Sequence, residues 1–179
     1  MTKESIYDEL KFLQTNRNFL GREFLTWLWF KSESQNHKIK IKNLGEFQIF
    51  IDNKIVLSSA SGSVRENSLK GNSPAYAPEA SAALSSGKML SEAKFVIQNQ
   101  ELNWSFSISA EDLSLKAVRL PVVAKENSSE HFSQRIAYTK MLNDILDELY
   151  REYMEIRLTD SFHKEAELIQ EWLINKVNS

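Results

Sequence analysis

Phe19-Leu20-Gly21-Arg22-Glu23-Phe24-Leu25-Thr26-Trp27-Leu28-Trp29-Phe30 is the stretch on which the fold turns. Eight of its twelve residues are large and apolar, and it holds two of the chain's four tryptophans. A helix with one face in water keeps its apolar residues on a single stripe at i, i+3, i+4 and i+7. Leu20, Phe24, Trp27 and Leu28 form that stripe, but Phe19, Leu25, Trp29 and Phe30 cover much of the remaining circumference. The spacing predicts a helix over about 19–32 that is walled in on most sides, by the protein's own core or by another subunit. A tryptophan buries about 150–250 Å². Trp27 and Trp29 are therefore large enough either to fill a core or to anchor a contact between copies. A homodimer or higher oligomer is expected, touching through this helix or through the later helix that carries Trp172.

Upstream of this stretch, Ile6, Leu10 and Leu13 recur at helical spacing and predict a short helix near 3–14, broken by Asn16-Arg17-Asn18. Downstream, His37-Lys38-Ile39-Lys40-Ile41-Lys42 alternates strictly, the pattern of a strand with one wet face. Phe47–Ile51 and Ile55–Leu57 flank Asp52-Asn53-Lys54, which reads as a hairpin turn because Asp and Asn tolerate turn geometry. Residues 58–76 read as a long loop with a short strand near Val64. Pro78 and Gly87 bracket a short helix, since proline suits the first helical position and glycine the residue past the end. Ala93–Ile97 and the alternating Leu102, Trp104, Phe106 and Ile108 predict two strands about a turn at Asn99-Gln100, and Leu113–Leu120 one more. An apolar stripe from Phe132 to Ile156 predicts a long helix over about 129–158. Thr159-Asp160-Ser161 interrupts it before a second helix striped by Phe162, Ala166, Ile169, Trp172, Leu173 and Val177. Strands in the middle and helices at the ends make this α+β, an antiparallel sheet with N-terminal helices and two C-terminal amphipathic helices. The length suits a single domain over 1–179.

With no cysteine, disulfides, thiolate metal sites and cysteine nucleophiles are excluded, and a reducing cytoplasm is a compatible setting. The first 20 residues carry Lys3, Glu4, Asp8, Glu9 and Lys11, which predicts no secretory signal, and no uncharged apolar run reaches the length of a membrane span. His37, His131 and His163 are scattered without metal-ligand spacing. No nucleophile elbow, phosphate-cradling glycine loop or acid pair marks a catalytic centre, so the expectation is a non-enzyme with no catalytic residue, no metal and no cofactor. Glutamates of the C-terminal helices interleave with Arg151, Arg157 and Lys164, as on a solvated helix face.

One asymmetry remains. Alternation puts Lys38, Lys40 and Lys42 on one strand face about 6.8 Å apart, close to the repeat of nucleic-acid phosphates. An edge strand that uses lysines to block aggregation explains the same pattern. Arg65, Lys70 and Lys88 extend a basic surface only where the fold brings them near. The net charge of −2 means that any nucleic-acid binding must come from such a local patch.

Three blocks in order resemble the C-terminal half of the recombination-associated RdgC family. They are Phe19–Trp29; Val64-Arg65 through Pro78-Glu79-Ala80, Ser86-Gly87-Lys88, Ala93–Ile97, Trp104-Ser105-Phe106 and Val118-Arg119-Leu120-Pro121; and Ser133-Gln134-Arg135-Ile136 through Glu155-Ile156-Arg157-Leu158. The resemblance implies a nucleoid-associated protein that binds double-stranded DNA without sequence preference, through the phosphate backbone. It further implies action on RecA-type recombination, with a recombinase as protein partner, and assembly as a homo-oligomer. On that reading Lys38, Lys40, Lys42, Arg65, Lys70 and Lys88 are the DNA-binding candidates, and Trp27, Trp29 and Trp172 the interface candidates. The alternative is a protein-interaction module on the same fold that does not bind DNA.

Overall fold

The computed structural model describes residues 21–59, 65–122 and 128–178. The helix expected over 3–14 lies outside them, as does residue 64, where a short strand was expected. Helix α1 spans 21–34. It leads into strands β1 (Lys38–Ile41), β2 (Gly45–Ser58) and β3 (Glu66–Lys70), a 3-10 turn at Pro74–Tyr76, and helix α2 (Pro78–Ser85). Strands β4 (Met89–Gln98), β5 (Asn103–Ser109) and β6 (Leu115–Arg119) follow, and then helices α3 (Ser128–Arg157) and α4 (Ser161–Asn178). The strands form one antiparallel sheet in the order β1-β2-β4-β5-β6, with β3 paired to the second half of β2. The α+β class read from the sequence is the class observed.

Strand β2 is the spine of this sheet, and it corrects one expectation. Asp52-Asn53-Lys54 is no hairpin turn: β2 runs through it without reversing. Ile51 pairs with Phe95 and Ile55 with Ala93, so β2 spends two extra residues there as a bulge. Two ion pairs to β4 hold it, Lys94 Nζ to Asp52 Oδ2 at 2.7 Å and Lys54 to Glu92. Because two residues are inserted, the side-chain phase is kept, and Ile49, Ile55 and Leu57 all remain buried. The hairpin lies earlier, between β1 and β2, where Asn43 takes a left-handed conformation (φ 63°) and Leu44 N–H donates to Ile41 O at 3.2 Å.

One face of the sheet carries Ile39, Phe47, Ile49, Ile55, Leu57, Phe95, Ile97, Trp104, Phe106 and Ile108, all buried. The helices close over this face. Trp104 Nε1–H donates to Tyr138 O of α3 at 3.1 Å, and Leu90 N–H donates to Thr26 Oγ1 of α1 at 3.2 Å. The first turn of α1 lies so close to the end of β5 that a Cβ on Gly21 would stand 1.9 Å from Ala110 O. Only a residue without a Cβ fits there.

Helix α1 is enclosed by its own chain. Phe24 meets Tyr150 edge-on at 5.1 Å between centroids, and Trp27 packs against Tyr153 at 5.6 Å. Trp29 and Phe30 meet Trp172 at 5.2 and 5.8 Å. Trp27 and Trp29 are each 1% exposed. The expectation that they anchor a contact between copies gives way: α3 and α4 supply the walls that the all-round apolar pattern demanded. Trp172 packs against the end of α1 but is only half-buried.

Candidate nucleic-acid interface

The second face of the sheet is built by the residues that alternate with the core. Reading across the strands, Lys38 stands opposite Gln48, Gln48 opposite Gln98, and Gln98 opposite Asn103. Phe50 stands opposite Val96, Val96 opposite Ser105, and Ser105 opposite Arg119. Lys94 stands opposite Ser107, and Ser107 opposite Lys116. Two grooves open over this polar face. One of about 510 Å³ lies at the β1 end, lined by Lys38, Gln48, Gln98 and Glu101. The other, of about 650 Å³, lies at the far end of β2 beneath Arg22, Lys54, Arg65, Lys70 and Lys116.

The sequence candidates divide among three places. Lys38 and Lys40 are exposed on the polar face of edge strand β1, and Lys42 is exposed in the turn that follows. Arg65 and Lys70 are exposed at the two ends of β3 and line the larger groove. Lys70 pairs with Lys54 in register and Lys38 with Gln48, so six residues of β2 separate the two groups. Because two of those six residues are the bulge, the gap along the sheet is that of about four residues, about 14 Å at ordinary strand rise. Lys88 belongs to neither group. It is 9% exposed, and its ammonium donates to Asn67 Oδ1. That corrects its place among the DNA-binding candidates, because a buried, hydrogen-bonded ammonium has no surface to offer a phosphate.

Five further cations stand on the same face or in its groove without having been singled out from the sequence: Arg22, Lys54, Lys94, Lys116 and Arg119. Lys116 and Arg119 are three residues apart, so plain alternation puts them on opposite faces. Ala117 takes a left-handed conformation (φ 51°) where the β5–β6 register shifts, and this bulge turns both onto the polar face. Lys54 and Lys94 are neutralised by Glu92 and Asp52. Among the described residues, Lys38, Lys40, Lys70, Arg22, Arg65, Lys116 and Arg119 form no ion pair within 4.0 Å. Acids are interspersed on this face. Glu46 stands opposite Lys40, and the Ser114 hydroxyl and amide, helped by Lys116, hold the exposed Asp112 carboxyl below its usual range.

Glu33, in the last turn of α1, accepts from Trp29 Nε1 at 2.7 Å, Trp172 Nε1 at 2.9 Å and Lys176 Nζ at 2.8 Å. The Lys176 ammonium lies over the rings of Trp29, Trp172 and Tyr76. This cluster fastens the end of α4 to the body of the fold. Among the described residues no group of histidines and carboxylates is placed to hold a metal ion, and no helix is long and apolar enough to cross a membrane.

Comparison with protein-family models and with curated proteins finds no match to this chain.

Proposed function

We propose that this protein binds double-stranded DNA without sequence preference through the polar face of its sheet, as a non-enzymatic, RdgC-like component of the nucleoid that modulates RecA-type recombination. The observation that carries the reading is the set of unpaired cations on that face, drawn from β1, β3 and β6 and from α1. Phosphate contacts hold a duplex without reading its bases. The resemblance of the sequence blocks to the RdgC family supports the same reading.

Titrating labelled duplexes of unrelated sequence at several salt concentrations tests it. Lys38, Lys40 and Lys42 alone give a slope of log K against log salt of about −2.7, and Arg65 and Lys70 steepen it to about −4.5. Affinities should agree between sequences. Absence of binding at low salt overturns the proposal.

A second reading, a protein-interaction module, is favoured by one separate observation. Phe132 (66% exposed) and Ile136 (54%) on α3 line a groove with Leu120, and Val122 nearby in sequence is 96% exposed. An apolar patch of this kind fits a protein surface, whether a recombinase or a second copy of the chain. It takes the place of Trp27 and Trp29, which are buried, as a surface for self-association. A partner retained from nuclease-treated lysate, together with no shift of duplex DNA, selects this reading over the first.

A further inference from the structure

The larger groove contains a polar atom that the fold leaves unused. Ser58, at the end of β2, is 9% exposed and lines the groove, yet its hydroxyl has no hydrogen-bond partner. Buried hydroxyls are nearly always paired. Two of the neighbouring serines are accounted for: Ser91 Oγ donates to Val56 O at 3.1 Å, and Ser109 Oγ accepts from Glu111 N–H at 3.3 Å. Around Ser58 the groove is cationic. Arg22, Arg65, Lys70 and Lys116 line it without an ion pair among the described residues, and Glu92 is taken by Lys54. The remaining acids, Glu66 and Glu111, are both exposed.

We propose that the Ser58 end of this groove is a seat for one phosphate group, held by Arg65 and hydrogen-bonded by the Ser58 hydroxyl. Arg65 stands beside that end of β2, where Ser59 N–H donates to Arg65 O at 3.0 Å, and a phosphate has oxygens enough to accept from a guanidinium and a hydroxyl together. The groove, at about 650 Å³, is wider than a lone anion needs, so the phosphate is carried on a larger body. The inference rests on the reading of this face as a backbone-binding surface, in which the seat anchors one phosphodiester of the bound strand. A free phosphate monoester offers the same chemistry.

Titration of the full chain with inorganic phosphate at constant ionic strength, followed by amide and arginine Nε–H resonances, tests the seat. Saturable shifts at Ser58 and Arg65, absent with chloride, are expected. Ser58→Ala should weaken phosphate about five-fold, the equivalent of one hydrogen bond, without unfolding the protein, because it removes an atom that has no partner. Arg65→Ala should weaken it further, whereas Lys38→Ala, in the other group, should leave it unchanged. Displacement of phosphate by duplex DNA identifies the backbone as the source. Phosphate binding without DNA binding keeps the seat and assigns it to a monoester, while the DNA reading falls. DNA binding without any saturable phosphate shift, or with Ser58→Ala and Arg65→Ala indistinguishable from wild type toward phosphate, overturns the seat and leaves the DNA reading standing.

Discussion

The indole Nε1–H of Trp27 donates to Glu165 Oε1 across 2.9 Å, joining α1 to α4 over 138 positions of sequence. An indole at 1% exposure that still satisfies its one polar atom is a core residue in both respects. Trp27→Ala should therefore cost about 3–5 kcal/mol of stability, read as a lower urea midpoint. The mass in light scattering should stay as in wild type wherever the variant is folded. A folded variant of unchanged stability but smaller assembly would return Trp27 to an interface.

Lys176 and Glu33 should behave as a coupled pair. Their side chains are 8% and 14% exposed, so neither is well hydrated if the other is removed. Breaking a buried pair from one side costs about 3–5 kcal/mol. Glu33→Ala should thus release the end of α4, with a red shift of Trp172 emission. Lys176→Met keeps the stem against the three rings and removes the charge. Combined with Glu33→Ala it should recover part of the loss, because no ammonium is then left stranded. Urea unfolding of the two single variants and the double variant measures this. Strictly additive losses would show that the pair is not coupled.

Lys88 and Lys70 should separate stability from DNA affinity. Lys70 is exposed at the end of β3, and Lys70→Ala should flatten the salt slope by about 0.9 while changing stability by no more than about 0.5 kcal/mol. Lys88→Ala should leave the slope alone and cost about 1.5–3 kcal/mol, the value of a hydrogen bond from a charged donor, because half-buried Asn67 loses its partner. If Lys88→Ala flattens the slope as Lys70→Ala does, Lys88 reaches the ligand after all.

How legible these features were in the sequence depended on whether neighbours along the chain or across it decide them. The strand through Trp104, Phe106 and Ile108 announced itself, because alternation is a local signal and one face is fully buried. The enclosure of α1 was legible too, as a helix with more apolar surface than one stripe. What encloses it was not, since Tyr153, Glu165 and Trp172 are more than 120 residues away. Asp52-Asn53-Lys54 carries turn chemistry, and only pairing of Ile51 with Phe95 and Ile55 with Ala93 makes it a bulge. In the candidate site, Lys38 and Lys40 were found because they alternate within one strand. Lys116 and Arg119 were not, because the bulge at Ala117 breaks the period that would have joined them.

Tyr153 gives the last expectation, through pH. Its hydroxyl donates to Glu23 Oε2 at 2.8 Å, while Arg157 Nε holds the same oxygen at 3.0 Å. Burial, then the hydrogen bond to the Glu23 carboxylate and its charge, raise the Tyr153 pKa well above the ordinary value; Arg157 pulls the other way but does not prevail. In the unfolded chain a tyrosine ionises near pH 10. A group whose pKa is higher in the folded state contributes stability that is complete below the unfolded value and is lost as pH rises above it. Wild-type stability should accordingly fall from about pH 10 upward. Tyr153→Phe should lose about 1.5–3 kcal/mol at neutral pH, a hydrogen bond to a charged acceptor, and should then fall less steeply in alkali. Tyr76 is also shifted upward by burial and Glu33, so wild type alone does not isolate the effect; the difference between wild type and Tyr153→Phe does. Urea midpoints at pH 8 and at about pH 10.5 measure that difference, and equal alkaline losses in the two proteins would refute the role given to Tyr153.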